Sequence, residues 1–209
     1  MKNIKKNDPW MRWLAIAAVL AMVAWAAAGR FMNGGRLGVE DTSVGGAFEL
    51  VDHLGQTRTD KDFLGRYPLV YFGYTHCPDI CPSSLQIVSD ALDLLPEPVV
   101  ARIAPIMISV DPERDSPRAM ADYVVHFHPA LVGLTGSLDQ VRSVTRAYNI
   151  YAQKADDNDA YTMDHTSLLF LMGPDGKYLA RFTPAATSEM IAQKLAELVS
   201  PGAPRQGGR

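Results

Sequence analysis

Cysteine is scarce in this sequence, with two among 209 residues. That excludes a disulfide-dense scaffold and a four-cysteine zinc site. It leaves room for one redox pair or half of a metal site. A basic excess is missing too. Lys plus Arg is 20 against 23 Asp plus Glu, for a net charge of −3, so nothing marks a nucleic-acid binder. No internal repeat is present, and neither paired carboxylates nor a Gly-rich loop point to hydrolase or phosphate chemistry. With 47% hydrophobic and 21% charged residues, a disordered or collagen-like chain is excluded as well.

The charge that is present is unevenly spread. Residues 1–36 carry Lys2, Lys5, Lys6, Arg12, Arg30 and Arg36 against Asp8 alone, a net +5, which leaves −8 for the remainder. From Trp13 to Gly29 the chain is uncharged over 17 residues, at the lower limit of ~17 for a membrane-spanning helix. Trp10, Trp13 and Trp25 lie towards its ends, where amphipathic rings favour the interface. The basic cluster ahead of the run stays cytoplasmic under the positive-inside rule. The expectation is a single-pass anchor over residues 1–30 in the inner (cytoplasmic) membrane, with the body in the periplasm. The competing reading is a cleaved signal peptide, for which Ala26-Ala27-Ala28 supplies small residues. No cysteine follows the run, so a lipoprotein anchor is not expected.

Residues 31–44, rich in glycine, read as a linker. Residues 45–200 have the length of one domain, and residues 201–209 read as a disordered tail. Within the body, Phe48–Asp52 reads as an edge strand. Pro68–Tyr74 and Ile103–Val110 are apolar runs of the buried-strand type, the second interrupted by Pro105. Helical spacing predicts helices over Cys81–Leu95, stopped by Pro96 and Pro98, and over Ser137–Tyr148. Ser116 caps a helix reaching Phe127, with Pro117 in its first turn. Ala130–Leu134 is a short strand. Ser167–Met172 and Lys177–Phe182 flank Gly173-Pro174-Asp175-Gly176, a strong hairpin signal, and Thr187–Val199 is a last helix. The order is that of a thioredoxin-like α/β fold, a central mixed sheet flanked by helices, here preceded by the N-terminal transmembrane helix. Its parallel crossovers are right-handed by rule.

Directly after the first core strand stands Thr75-His76-Cys77-Pro78-Asp79-Ile80-Cys81-Pro82. Two cysteines four residues apart share one face of a helix. They can form a disulfide or share a soft metal ion, and a helix N-terminus favours the thiolate that both chemistries need. A purely structural disulfide closing so short a loop would remove little denatured-state entropy. Thioredoxin-type enzymes have two residues between their cysteines. The three found here weaken the simple oxidoreductase reading and favour a wider bite suited to a metal.

Four stretches carry a family resemblance. They are YFGYTHCPDICPSSL (Tyr71–Leu85), ISVDPERDSP (Ile108–Pro117), FHPALVGLTGS (Phe127–Ser137) and DHTSLLFLMGPDG (Asp164–Gly176). In this order they resemble the Sco/SenC family of copper-binding assembly proteins, over most of the body. The resemblance implies a thioredoxin-like fold, an N-terminal anchor and a role in maturing cytochrome c oxidase. Copper, as Cu(I) or Cu(II), would be delivered to the dinuclear CuA site, or the cysteines of that site reduced. The resemblance assigns copper ligation to Cys77, Cys81 and His165, with threonine after the histidine where the family more often has serine. Implied partners are the copper-bearing subunit of the oxidase and another periplasmic copper chaperone. Two thiolates and an imidazole suit Cu(I), a soft ion.

The remaining candidates have blander readings. His76 is expected to tune the thiols or touch a partner rather than ligate. His126 and His128 read as a helix C-cap or as exposed, and His53 as a turn residue. Met163 is expected to pack in the core. Asp111 and Asp115 read as capping residues paired with Arg114, or as an acidic docking rim. Two rivals to copper delivery are a thiol–disulfide reductase built on Cys77 and Cys81, which would not need His165, and a peroxidase-like enzyme on the same fold.

Overall fold

A computed structural model describes residues 44–155 and 161–199. The expected anchor, nearly all of the linker and the tail lie outside the described residues. Among the described residues no helix is long and apolar enough to cross a membrane. In chain order, β1 (Glu49–Asp52) and β2 (Thr57–Thr59) precede a 3-10 turn at Asp60–Phe63 and β3 (Tyr67–Gly73). Then come α1 (Ile80–Asp93), the one-turn α2 (Glu97–Val100), β4 (Ile103–Ser109), α3 (Pro117–Val124), β5 (Val132–Thr135) and α4 (Leu138–Ala147). β6 (Ala152–Lys154), β7 (Met163–His165), β8 (Leu169–Met172), β9 (Tyr178–Phe182) and α5 (Ser188–Val199) follow.

The apolar runs become the middle of the sheet, because strands covered on both faces have no polar side to show. β3 and β4 pair in parallel from Tyr67 opposite Ile103 to Gly73 opposite Ser109. All their residues but Tyr67 are buried. β5 extends the parallel set beside β4. β1 and β8 flank it antiparallel, giving the order β2-β1-β5-β4-β3-β8-β9. α1 turns Cys81, Leu85, Val88, Ala91 and Leu92 inward and packs on α5, which buries Ile191, Ala192, Leu195 and Val199. Ser116 Oγ accepts the Ala119 N–H at 3.2 Å to start α3, and Ser137 with Gln140 forms a capping box for α4. The β8–β9 hairpin closes through Gly176, whose φ of +78° favours glycine. The expected mixed sheet flanked by helices is present.

Several expectations need correction. Pro105 does not interrupt β4. The β5 ladder begins one residue later, at Ile106 opposite Val132, so Pro105 lies where β4 has a neighbour on one side only. A proline there behaves as in an edge strand. Pro68 is placed alike, ahead of the β8 ladder that begins at Leu69. β1 is not the sheet edge, because β2 lies outside it. Asp52 makes that turn by accepting the N–H groups of Leu54 and Gln56, both at 2.9 Å, and by pairing with Arg58 Nε at 2.8 Å. Pro96 and Pro98 end one helix but also start α2, since the first turn of a helix needs no bonded N–H. α3 ends at Val124 rather than Phe127. β6 and β7 were not expected. They form a separate two-stranded sheet, with Ala152 opposite His165 and Lys154 opposite Met163.

Ile108 is fully buried in the central strand. Ile108→Ala is expected to lower the unfolding free energy by about 2–5 kcal/mol. The check is urea denaturation, read as a lower midpoint at unchanged slope.

Candidate metal and thiol site

The cysteine loop leaves β3 at Gly73 and enters α1 at Ile80. Gly73 is needed for close approach, because a Cβ there would stand 2.8 Å from Tyr71 Cε1 and 3.1 Å from Cys81 Sγ. Asp79 takes the N-cap position without a side-chain capping bond. The Cys81 N–H, in the first turn, donates to Cys77 Sγ at 3.4 Å. Both thiols are free and buried, Cys81 completely and Cys77 with 8% of its surface open.

Thr75, two residues before Cys77, is fixed from below. Its hydroxyl donates to Asp115 Oδ1 at 2.6 Å, and its N–H donates to the same carboxylate. Ser109, the last residue of β4, donates to Asp115 Oδ2 at 2.6 Å. Burial pushes the Asp115 carboxyl above the usual range, against the opposing effect of these hydrogen bonds. Asp115 is thus a buried brace between the end of β4 and the cysteine loop. Asp111 is buried as well, so the expected acidic docking rim does not exist. Asp111 pairs with Arg114, as the blander reading held, and the cap of α3 is Ser116.

His165 arrives from 84 residues away and sets Nε2 3.6 Å from Cys81 Sγ. Its ring meets those of Tyr74 and Tyr71 edge-on, with centroids at 5.8 and 6.5 Å. Nδ1 lies 3.3 Å from the Thr166 carbonyl oxygen. A carbonyl only accepts, so this contact puts the ring proton on Nδ1 and turns the Nε2 lone pair towards the thiol. Burial lowers the His165 pKa, favouring the neutral imidazole. Burial, and then the hydrogen bond with Cys77, pushes the Cys81 thiol up to about 12. The site is therefore uncharged at Cys81 and His165 near neutrality. The Tyr71 hydroxyl, beside Cys81 and Ser84, is buried with no well-formed hydrogen bond.

Cys77, Cys81 and His165 are thus neighbours. They are not a preassembled shell, since among the described residues no group of three His, Cys, Asp or Glu side chains is arranged to hold a metal ion. His76 points its Nδ1 at Thr75 Oγ1 (3.0 Å) and Asp115 (3.8 Å). His126 is exposed. His128 Nδ1 accepts the Ala130 N–H at 3.1 Å. His53 is no idle turn residue, because its Nδ1 accepts the Gly133 N–H at 3.1 Å. Met163 is half-buried against the core. Two residues at the site escaped sequence reasoning, Tyr161 and Arg114 in its stacking role. The aromatic and cationic types were visible, but nothing in their spacing joins positions so far apart.

Residues 38–200 match the family model described as SCO1/SenC. The human protein named "Protein SCO1 homolog, mitochondrial" is 43% identical over 166 residues, which are 76% of this chain and 54% of that protein. The fission yeast protein sco1 (Schizosaccharomyces pombe) is 40% identical over 156 residues, 73% of this chain and 59% of that protein. The chain thus spans just over half the length of these curated relatives. Among solved structures, copper-bound ScoI of Bradyrhizobium japonicum superposes with a TM-score of 0.68 at 42% identity, over 73% of this chain and 97% of that one. Copper-bound yeast Sco1 superposes with a TM-score of 0.71 at 32% identity, over 78% of this chain and 92% of that one. With the fold, the cysteine pair and the distant histidine all in place, the chain belongs to the SCO1/SenC family.

Proposed function

We propose that this protein is a copper carrier that takes up its ion through Cys77, Cys81 and His165 and serves maturation of the CuA site of cytochrome c oxidase. The observation that carries the reading is the approach of His165 Nε2 to Cys81 Sγ, with the imidazole lone pair already turned inward. Two sulfurs and one neutral imidazole suit Cu(I), and two structures of similar proteins have copper bound. Uptake exchanges thiol protons for the ion. Burial of Cys81 makes that exchange costly for a weakly bound or hard cation and favourable for one with a strong affinity for sulfur. Residues 1–30 would tether the domain to the inner membrane on its periplasmic side. Its partners would be the copper-bearing oxidase subunit and a copper donor of the same compartment.

A second reading rests on the unequal burial of the two sulfurs. Cys77 is the one a partner can reach. Its thiolate would attack a disulfide of the partner's copper site, breaking the partner's S–S bond and forming a mixed disulfide. The released partner sulfur takes a proton. Cys81, losing its own proton, then attacks Cys77 Sγ and frees the second partner thiol. Two electrons pass to the partner, and a Cys77–Cys81 disulfide remains here.

Anaerobic titration of the full-length protein with Cu(I) against a competing chelator is expected to show one tight equivalent. His165→Ala is expected to weaken it by about 10–100-fold, the range for loss of a metal-site contact. Binding untouched by that substitution would shift the assignment to the dithiol reductase. The same titration run against pH is expected to show affinity falling as pH falls, because the thiols must lose protons to bind. In the reduced apo protein, the thiol left in Cys77→Ser is expected to resist iodoacetamide at pH 8, since burial, the largest cause of its raised pKa, remains when Cys77 is replaced. The check is mass spectrometry of the alkylated protein, and rapid labelling would refute the buried, protonated state.

A further inference from the structure

His165 does not sit on the main sheet. It ends β7, which among the described residues pairs only with β6, and a two-stranded hairpin is marginal by itself. Something else must hold the imidazole against the cysteine helix, and the contacts converge on the loop between β4 and α3. Tyr161, two residues before β7, is buried and donates its hydroxyl to Asp111 Oδ1 at 2.7 Å. The Arg114 guanidinium lies 3.6 Å from the centroid of the Tyr161 ring. Its Nη1 donates to the Tyr161 carbonyl at 3.0 Å, and its Nε donates to Asp111 Oδ2 at 2.5 Å. On its other side the guanidinium carbon is 5.9 Å from the Tyr74 ring, which itself touches His165. The other strand, β6, is held by the same loop, where Lys154 Nζ donates to Glu113 Oε2 at 2.6 Å. One guanidinium nitrogen, Nη2, is buried without a hydrogen bond. Such a cost is tolerated where placement matters more than stability.

We infer that Asp111, Arg114 and Tyr161 form a clasp that positions His165, none of them touching the bound ion. The same loop braces the cysteine side through Asp115 and Thr75, so five consecutive residues, Asp111 to Asp115, set the distance between the sulfurs and the imidazole. Tyr161 and Arg114 are positioning residues. They act through His165 and through the hairpin that carries it. This inference rests on the ligand assignment proposed above for its metal readout, and on the hairpin alone for its second readout.

The test is a double-mutant cycle on the full-length protein. Cu(I) affinity is measured for wild type, Tyr161→Ala, His165→Ala and the double variant, with Arg114→Lys as a conservative change that keeps the charge and loses the fork. Amide hydrogen exchange of the apo proteins is followed alongside. Tyr161→Ala is expected to weaken Cu(I) by about 10–100-fold and to add no further loss once His165 is alanine. Arg114→Lys is expected to fall between wild type and Tyr161→Ala. Exchange is expected to rise in residues 150–155 and 161–166 while β3 and β4 stay protected. An equal loss from Tyr161→Ala in both backgrounds would show a general structural role and overturn the inference, as would no loss at all. If His165→Ala itself leaves Cu(I) binding unchanged, the ligand assignment fails and exchange alone decides. Faster exchange confined to the hairpin then supports the clasp, and unchanged exchange refutes it.

Discussion

The contact between Cys81 Sγ and His165 Nε2 joins two parts of the chain that share no ladder. The cysteine belongs to the first turn of a helix rooted in the central sheet. The histidine belongs to a three-residue strand of a separate hairpin. Main-chain hydrogen bonding cannot set their separation, so side chains must. Tyr74 reaches the Met163 backbone, and Tyr161 reaches Asp111. Three buried polar side chains stand together here. Ser109, Asp111 and Asp115 are all enclosed, each with hydrogen bonds that offset the cost of leaving water.

Burial also decides the protonation of the site. It opposes charge on both partners of the contact, holding Cys81 protonated and His165 neutral. Cys81 and His165 then carry no charge of their own to draw a cation in. Under the proposed ligand assignment, selection would rest on affinity for sulfur and nitrogen, because only an ion that bonds strongly to both recovers the cost of removing the thiol proton. The buried carboxylates of Asp111 and Asp115 are committed to Tyr161, Arg114, Thr75 and Ser109.

Much of the fold could be read from the sequence, and for a shared reason. β3, β4, α1, α4 and the β8–β9 hairpin have strong local signals, whether apolar runs, helical spacing, a capping serine or a glycine turn. The misses were of two kinds. Pro105 was read by residue type, whereas its cost depends on whether a neighbouring ladder has yet begun. β2, β6 and β7 are three-residue strands whose pairing comes from tertiary context, and no periodicity develops over that length. At the site, the cysteine pair was legible from its spacing. His165 came from its family setting, since nothing local links it to positions 84 residues earlier. Asp111 and Asp115 were noticed, and of their two readings the pairing with Arg114 holds for Asp111 while the exposed rim does not. Only the fold shows that the loop after β4 turns inward.

The two margins of the main sheet bear on how such a domain meets other proteins. β2 is three residues long and carries Arg58, tied to Asp52. β9 is five residues long and places Arg181 along its length. Short, charged margins give a foreign strand few backbone groups to pair with. Copies crowded together therefore have little means of joining sheet to sheet.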